Sequence, residues 1–382
     1  MIGGRVVLAV DRNALQQLSA GLSVVLVTGT NGKTTTTRML AEALSAAGHV
    51  VASNHSGANM PDGLVGALLA RPCADIAVLE IDESYLPPVA AAVGPAVILL
   101  LNLSRDQLDR VGEIGTVERR LRDCLTRSVA SIVVANADDV LTASAAADAE
   151  RVVWVAAGSP WTADGEICPR CWSLVDRTDA GAWTCRCGPR PDPDWTLDGS
   201  QISEQGRPRG ALELSLPGTA NGSNALMVLA AARALGVPPR ISLPAVRAVR
   251  DVDGRYQTVR WCEHDVRLLL AKNPAGWRAT LDIVQERRDS ALVICVDARQ
   301  ADGEDTSWLW DVAFERLRGR RVVVAGSRSA DLAVRLDYAQ VEHTVVADPR
   351  QAIASCETDA VDVAATYSAF RTIRGWMSHA ST

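Results

Sequence analysis

The most constraining feature of the chain is the segment Thr28-Gly29-Thr30-Asn31-Gly32-Lys33-Thr34-Thr35, which directly follows the apolar residues 24–27. Glycine has no Cβ, so backbone N–H groups around Gly29 and Gly32 can approach phosphate oxygens closely. In such a loop, Lys33 supplies a positive charge to the β- and γ-phosphates, and Thr34 supplies an oxygen ligand for Mg²⁺. The segment therefore predicts a phosphate-binding loop between a buried strand and a helix that covers residues 35–47.

The spacing of the two glycines departs from the general phosphate-loop pattern. That pattern, G-x-x-x-x-G-K-[ST], has four residues between its glycines, whereas only Thr30 and Asn31 separate Gly29 from Gly32. We interpret the loop as a compact variant. The alternative is an ordinary turn, which the strand before the loop and the helix after it disfavour.

Apolar runs alternate with helical periodicity along most of the chain, a pattern typical of an α/β protein with a mostly parallel sheet covered on both faces. Residues 158–209 interrupt the alternation, because they are rich in Gly, Pro, Asp and Trp and show no helical period. We predict an ATP-binding domain at 1–254 with an inserted zinc ribbon at about 158–209, and a smaller Rossmann-like α/β domain at 255–382. The predicted strands cover residues 23–27, 50–53, 76–81, 97–101, 132–135, 152–155, 267–271, 291–296, 321–325 and 361–365, and the predicted helices include 221–235, 243–250 and 308–317.

Composition narrows the class of protein. A formal net charge of −6 over 382 residues disfavours a nucleic-acid partner, which requires a basic face. No stretch approaches the ~20 consecutive apolar residues that span a bilayer, so we predict no transmembrane segment. The amino terminus lacks the long apolar region of a signal peptide, and we therefore expect the protein in the cytoplasm.

Four of the nine cysteines form two close pairs, Cys168-Pro169-Arg170-Cys171 and Cys185-Arg186-Cys187. Two tight turns with two thiolates each complete a tetrahedral site with no open position, which is typical of structural Zn²⁺. The second pair has one intervening residue where two are usual. We predict a Zn²⁺ ribbon, with a free or redox-active thiol cluster as the alternative.

Polar residues follow two of the predicted strands, at the edge where open parallel sheets bind their ligands. The strand over residues 76–81 runs into three carboxylates, Glu80, Asp82 and Glu83. We select Glu80 as a Mg²⁺ ligand because it still lies within the apolar run, whereas Asp82 and Glu83 fit a solvated acidic turn. The strand over residues 97–101 leads to a second polar group that we predict to form a wall of the same site: Asn102, Arg105, Asp106 and Asp109.

Taken together, these motifs resemble those of the Mur ligases, which join amino acids to peptidoglycan precursors through an acyl phosphate. Four segments carry the resemblance: the phosphate loop, the strand that ends at Glu80, Asn-Leu-Ser-Arg-Asp-x-Leu-Asp from Asn102, and Gly-Thr-Ala-Asn-Gly-Ser-Asn-Ala from Gly218. Within that superfamily, the four-cysteine insert and two later segments are similar to the MurT family, the synthetase subunits of lipid II isoglutaminyl synthases. Those segments are Ala-Lys-Asn-Pro-Ala-Gly from Ala271 and Ala-Asp-Gly-Glu-Asp-Thr-Ser-Trp-Leu-Trp-Asp from Ala301.

The resemblance implies ATP and Mg²⁺ as cofactors and assigns roles to particular positions. Lys33 and Thr34 match the phosphate and Mg²⁺ residues, and Glu80 matches the second Mg²⁺ ligand. Three further positions match nucleotide-contacting residues of the family: Asn221, Asn224 and Arg255. Two positions depart from the Mur ligase pattern, since Gln107 and Lys272 each stand where a histidine is usual. These departures concern the second metal site and the nucleotide contacts of the last domain.

The reaction that the resemblance implies is an amidation. ATP phosphorylates the α-carboxylate of D-glutamate in the lipid II stem peptide, and ammonia then displaces phosphate to leave D-isoglutamine. The five histidines lie near no recognisable nucleophile motif, so a separate glutaminase is implied, in this family a GatD-type subunit that forms a heterodimer with the synthetase.

The MurT resemblance also implies an aspartate that orients the catalytic histidine of the partner. The candidates are Asp302, Asp305 and Asp311, among which we favour Asp305 because it precedes a predicted helix. Trp308 and Trp310 beside them are expected to be exposed as interface anchors, although a helix with tryptophans in its core is the simpler alternative.

Two other functions compete with amidation. The first is a Mur or folylpolyglutamate synthetase-type ligase that adds a whole amino acid. Lys272 in place of histidine disfavours it, as does the short segment before Thr28, which leaves no room for a separate domain that binds a UDP-linked substrate. The second is a nucleic-acid-binding ATPase with a zinc ribbon, which the acidic balance disfavours.

Overall fold

The computed structural model describes residues 2–54, 57–105, 114–156, 158–159, 161–178, 181–252, 255–299 and 302–380. The described residues up to Ser104 and those from Ile114 to Arg250 form one compact unit, and those from Asp251 onward belong to a second. The domain boundary after residue 254 stays a prediction, because residues 253 and 254 lie outside the described residues. Within the described part of the chain, no helix is both long enough and apolar enough to cross a bilayer.

A nine-stranded sheet forms the centre of the first unit, in the order β12-β11-β10-β6-β5-β4-β1-β3-β2. Its strands β1 to β6 pair in parallel, and so do β6 and β10, whereas β10, β11 and β12 pair antiparallel. The strands of this unit are β1 (Ser23–Thr28), β2 (Val51–Ser53), β3 (Ile76–Glu80), β4 (Val97–Leu100), β5 (Ile132–Asn136), β6 (Val152–Ala156), β7 (Asp176–Arg177), β8 (Trp183–Cys185), β9 (Gly188–Pro189), β10 (Trp195–Asp198), β11 (Gln201–Glu204) and β12 (Arg207–Ala211).

The register of the central strands determines where the site forms. Val27 in β1 lies opposite Glu80 in β3, and Thr28 lies opposite Leu100 in β4. The carboxyl ends of these three strands therefore coincide at one edge, and the order of strands reverses at β1, the position where open α/β sheets bind their ligands. Every residue of β3 and β4 is buried, as expected for parallel strands covered by helices on both faces. The helices of this unit are Ile2–Val10, Ala14–Ser19, Lys33–Ala46, Pro61–Ala70, Leu86–Val93, Ile114–Arg127, Val140–Ala146, Thr219–Ala234 and Pro239–Ala248, with a 3-10 helix at Ala163–Gly165.

The cysteine-containing insert is shorter than the segment predicted from the sequence. Strands β7, β8 and β9 form a separate three-stranded antiparallel sheet. Residues 195–209, the last part of the predicted zinc ribbon, lie in β10, β11 and β12 and their turns, and they extend the large sheet instead. Buried Trp195 explains the difference, because its strand pairs in parallel with β6 and continues the core of the first unit.

The second unit contains a six-stranded sheet in the order β13-β14-β18-β15-β16-β17, in which all neighbours except β13 and β14 are parallel. This architecture agrees with the predicted Rossmann-like α/β domain. Its strands are β13 (Tyr256–Trp261), β14 (His264–Leu270), β15 (Ala291–Cys295), β16 (Val322–Ala325), β17 (His343–Val345) and β18 (Ala360–Ala365), and its helices are Pro274–Gln285, Ser329–Ala339, Pro349–Ala354 and Tyr367–Ala380.

The helix predicted over residues 308–317 is wrong. Two short 3-10 helices, Ser307–Asp311 and Phe314–Leu317, occupy this region instead. Val312 between them has an extended backbone, with φ −87° and ψ 126°. This break allows both Leu309 and Phe314 to enter the core, where each is at most 2% exposed.

Candidate active site

The phosphate loop adopts backbone conformations that require its glycines. Gly29 has φ +132° and Gly32 has φ +87°, values that side chains rarely tolerate. A Cβ at Gly29 would lie 2.9 Å from the backbone oxygen of Asn102, and one at Gly32 would lie 2.5 Å from Oδ1 of Asn224. The loop is thus packed closely against two other segments, and its backbone leads directly into the helix Lys33–Ala46. A helix amino terminus after such a loop is a typical site for phosphate.

Asn102, which follows β4, fixes the shape of the loop. Its Oδ1 accepts a hydrogen bond from the Asn31 backbone N–H at 2.9 Å, and its Nδ2 donates one to the Asn31 carbonyl at 2.9 Å. Its own carbonyl accepts from the Thr30 N–H at 2.9 Å. The Thr30 hydroxyl completes the contact, because it donates to the Ser104 carbonyl and accepts from the Ser104 N–H. The structure thus places Asn102 beside the loop, while Asp106, Gln107 and Asp109 lie outside the described residues.

Lys33 is held inside the loop that precedes it. Its side chain is only 4% exposed, and its Nζ donates to the Gly29 carbonyl at 2.5 Å and contacts Glu83 Oε2 at 3.2 Å. Glu83 is 12% exposed, so its interpretation as part of a solvated turn is wrong. Glu83 and the Gly29 carbonyl thus hold the Lys33 ammonium group against the loop. Lys33 is also one of only two lysines among the 39 basic residues of the chain, the other being Lys272.

Glu80 and Thr34 fit a Mg²⁺ site. Glu80 is fully buried at the end of β3, and the side-chain amide of Asn54 bonds to both its backbone N–H and its carbonyl. Thr34 is 1% exposed, and within the described residues its Oγ1 has no hydrogen-bond partner. A carboxylate and a buried hydroxyl are oxygen ligands of the kind that Mg²⁺ prefers beside nucleotide phosphates. Thr35, the next residue, is buried in the first turn of the same helix.

The two asparagines predicted to contact the nucleotide differ in their surroundings. Asn224 is 8% exposed, and its side-chain amide packs against Gly32, which places it at the phosphate loop. Asn221 donates from Nδ2 to the Pro217 carbonyl at 2.7 Å, so its side chain bonds to the turn before its own helix. The structure therefore brings Asn224 to the loop, and the nucleotide contact of Asn221 stays a prediction.

Asp139 is a buried carboxylate next to this site that the sequence analysis missed. It caps the helix Val140–Ala146 by accepting from the Thr142 N–H, and its other oxygen accepts from the Leu103 N–H at 3.1 Å. Burial raises the pKa of Asp139 to about 6. The hydrogen bonds from backbone N–H groups act in the opposite direction and lower this pKa. The Asp139 carboxylate thus links the end of β5 to Leu103. Leu103 lies between Asn102 and Ser104, the two residues that contact the phosphate loop. Aspartate is a preferred residue directly before a helix, so Asp139 ahead of the apolar residues Val140 and Leu141 was a capping signal in the sequence.

The four predicted zinc ligands come together. The Sγ atoms of Cys168, Cys171, Cys185 and Cys187 all lie within 4.8 Å of one another. Four thiolates about 2.3 Å from one metal fit inside such a cluster, so the cysteines could bind zinc. Hydrogen bonds involving Ser173 lower the pKa of the Cys171 thiol to about 5, which favours the thiolate that a metal binds.

Side chains around the cysteine cluster attach it to the first unit. Trp183 in β8 donates from Nε1 to the Ala137 carbonyl at 2.9 Å, and Arg190 pairs with Asp138. Both contacts reach the segment just before Asp139. The cysteine cluster is thus anchored at the end of β5, close in sequence to the carboxylate that holds Leu103.

The remaining predicted residues lie in the second unit. Asp302 is 7% exposed, and its oxygens accept from the Ser368 and Arg299 backbone N–H groups. Asp305 is exposed, and Ser307 bonds to both of its oxygens through its N–H and its hydroxyl. These bonds lower the pKa of Asp305 and keep it ionised. Asp311 is also exposed.

Trp308 and Trp310 differ in burial. Trp310 is 54% exposed and makes an edge contact with Tyr338, whereas Trp308 stacks on buried Trp277. The prediction of two exposed tryptophans is therefore wrong for Trp308, which packs against the core. Arg255 and Lys272 also belong to this unit, and Asn273 beside Lys272 caps the helix Pro274–Gln285.

Comparisons with known proteins show which family and fold the chain resembles. The Mur ligase middle domain model matches residues 27–160, and the MurT ligase C-terminal model matches residues 270–370. The chain is 31% identical to the lipid II isoglutaminyl synthase (glutamine-hydrolyzing) subunit MurT of Streptococcus pneumoniae, over 87% of this chain and 80% of that protein. It is 27% identical to the subunit of the same name from Staphylococcus aureus, over 90% of this chain and 84% of that protein. In structure it resembles a pseudomurein peptide ligase type C from Methanothermus fervidus, with a TM-score of 0.75, 21% identity, and 93% and 78% of the two chains covered.

Proposed function

Because the chain belongs to the MurT family of lipid II isoglutaminyl synthase subunits, we propose that it uses ATP to amidate the α-carboxylate of D-glutamate in the lipid II stem peptide. The observation that carries this proposal is the match to MurT over most of both chains, which includes the phosphate loop and the second unit. The product is D-isoglutamine, with ADP and phosphate released. The lipid-linked substrate would be met at the inner face of the membrane.

In this proposal, the first step transfers the γ-phosphoryl group of ATP to the carboxylate. The amino terminus of the helix Lys33–Ala46 presents backbone N–H groups to the phosphates, and Lys33 places its charge on the transferring group. Thr34 and Glu80 would hold Mg²⁺, which would take up charge on the β- and γ-phosphates when bound. Asn221, Asn224 and Arg255 are the proposed nucleotide contacts. Positioning and charge stabilisation account for most of the catalysis in phosphoryl transfer.

The second step is the attack of ammonia on the acyl phosphate, which breaks the carbon–oxygen bond to phosphate and releases one proton. Ammonia is mostly protonated near neutral pH, so a glutaminase is proposed to deliver it directly. We propose a GatD-type glutamine amidotransferase subunit in a heterodimer with this chain. Exposed Asp305, whose carboxylate is oriented by two hydrogen bonds from Ser307, is proposed to accept a hydrogen bond from the catalytic histidine of that partner. Asp302 is a poorer candidate, because it is buried within its own unit, where its oxygens accept from two backbone amides.

The test is a reconstituted reaction with the chain, its glutaminase partner, lipid II, Mg²⁺ATP and glutamine. We expect amidated lipid II, measured by mass spectrometry, in equal amount to ADP. Omitting glutamine and adding ammonium chloride should give the same product. Incorporation of a whole amino acid, with no amidated product, would instead support the Mur or folylpolyglutamate synthetase-type alternative and contradict the proposal.

We further propose that the cysteine cluster binds one structural Zn²⁺ per chain. The serine variants Cys185→Ser and Cys187→Ser together are expected to lose the metal and to lower the unfolding temperature, because half of the ligand set is removed. Metal analysis of protein purified under reducing conditions measures the first effect, and circular dichroism measures the second. Cys73→Ser, at an exposed cysteine outside the cluster, is the control and should change neither. Full zinc content in the double variant would rule out this ligand set.

A further inference from the structure

A cavity of about 690 Å³ opens at the amino-terminal edge of the sheet in the second unit. Its walls come from the segments that lead into β15, β16, β17 and β18, including Ser290, Gly319 and Thr358. Ligands of open α/β sheets usually bind at the opposite, carboxyl edge. The cavity therefore lies away from the usual ligand site of this fold.

A buried carboxylate beside this cavity is surrounded by an excess of positive charge. Asp362 in β18 is fully buried, and Arg267 binds it through two hydrogen bonds of 2.8 Å. Arg320 and Arg287 each approach the same carboxylate at 3.8 Å. Three guanidinium groups thus face one carboxylate. Arg267 and Arg320 are at most 10% exposed, so solvent screens their charge little, whereas Arg287 is 37% exposed. A further anion in the cavity would be attracted to this excess of positive charge.

Two arginines of the cavity are exposed to a ligand. Arg288 and Arg318 line the cavity, and within the described residues neither forms an ion pair with a carboxylate. Each donates one hydrogen bond from Nε, Arg288 to Gln285 Oε1 at 2.9 Å and Arg318 to the Ala339 carbonyl at 2.9 Å. The Nη groups of these two side chains can therefore meet the oxygens of a ligand in the cavity.

The residues that line the cavity also include more basic than acidic side chains. Five arginines line the cavity, Arg288, Arg316, Arg318, Arg320 and Arg321, against three acidic residues, Asp289, Glu342 and Glu357. Arg321 is paired with Glu342 at 3.2 Å and Arg316 with Asp282 at 2.6 Å, so Arg288, Arg318 and Arg320 carry the remaining positive charge of the lining. Burial lowers the pKa of Arg320, and repulsion from Arg267 and Arg288 adds to that effect, while Asp362 opposes it. This surface is basic on a chain whose formal net charge is −6.

We propose that this cavity binds a phosphate group, carried either by a free phosphate or diphosphate compound or by the headgroup of a lipid. The planar fork of arginine matches phosphate oxygens in pairs, and the volume is within the range of small-molecule sites. The proposal concerns a second site and does not rest on the proposed amidation.

The experiment uses inorganic pyrophosphate as the probe, titrated calorimetrically into full-length protein. The Lys33→Ala background removes the contribution of the phosphate loop; if that variant does not fold, the comparison is made on wild-type protein, in which the loop contributes equally to every titration. Arg288→Gln with Arg318→Gln should weaken binding at least roughly tenfold, since two charged contacts are lost. Arg288→Lys with Arg318→Lys should retain part of the affinity. This variant replaces the glutamine variant in the comparison if the latter does not fold. Arg260→Gln, an exposed arginine of the same unit, should have no effect.

Vesicles separate the two sources of the phosphate. Sedimentation with phosphatidylglycerol vesicles, but not with phosphatidylcholine vesicles, that depends on Arg288 and Arg318 would support a lipid headgroup. Pyrophosphate binding that depends on these arginines without vesicle binding would support a soluble ligand. The proposal is overturned if neither probe binds, or if binding is unchanged in both the glutamine and the lysine variants.

Discussion

Replacing Lys33 with alanine is expected to reduce ATP-dependent amidation of lipid II by roughly 10³-fold or more, on the scale of other cationic groups that act on a transferring phosphoryl group. Lys33 is buried within the loop and is aimed by Glu83, so no neighbouring cation of the described loop takes its place. Thr34→Val, which removes only the buried hydroxyl, should also abolish most activity by weakening Mg²⁺ binding. The measurement is amidated lipid II formed per minute at saturating ATP.

The helix that carries Lys33 offers a matched control. Thr37 is fully buried in the same helix, and its hydroxyl, like that of Thr34, has no hydrogen-bond partner within the described residues. Thr37→Val should therefore leave activity unchanged while repeating the chemical change made at Thr34. If folded Lys33→Ala and Thr34→Val proteins keep near wild-type rates, the assignment of the phosphate loop is wrong.

Substitution of Asp305, the proposed triad aspartate, should separate two activities that a single-site enzyme would lose together. Asp305→Asn is expected to lower glutamine-dependent amidation by roughly 10²- to 10⁴-fold, on the precedent of triad aspartates. Ammonia-dependent amidation at high ammonium chloride should persist, because Lys33, Thr34 and Glu80 are unchanged. The measurement compares amidated lipid II from the two nitrogen sources.

Controls for this experiment come from the same unit. Asp337→Asn changes an aspartate that is 74% exposed and should leave both activities intact. Asp311→Asn and Asp302→Asn complete the set, and Asp302→Asn should act mainly on stability, since its oxygens bind two backbone amides. If all three candidate variants keep full glutamine-dependent activity, no triad is completed from this segment. If Asp305→Asn loses both activities equally, Asp305 belongs to the synthetase site.

Much of the fold was predictable because its parallel strands are buried and read as short apolar runs. The predicted strands at 23–27 and 76–81 correspond to β1 and β3, within one residue at each end. Strands β10 to β12 were missed because their sequence is polar on one face and follows the cysteine pairs directly. The local composition indicated an insert. The structure of these residues depends instead on the pairing of β10 with β6, which is distant in sequence.

Some residues of the candidate site could also be predicted from the sequence, and others could not. Lys33, Thr34 and Glu80 are recognisable because their chemistry depends on short spacing within one segment. Glu83 was misjudged because its partner, Lys33, lies 50 residues away in sequence. Asp139 was missed for a similar reason, since its second hydrogen bond crosses from the end of β5 to the residue after Asn102. Contacts of this kind depend on strand order, which one sequence does not reveal.

The scarcity of lysine has a practical consequence for studying this protein. An amine-selective acylating reagent can modify only Lys33, Lys272 and the terminal amino group, although the chain carries 39 basic residues. Lys33 is 4% exposed and lies in the phosphate loop, so its rate of acylation reports whether that loop is open or occupied. Peptide mapping after labelling thus turns an ordinary chemical modification into a probe of one functional group, with Lys272 as the internal reference.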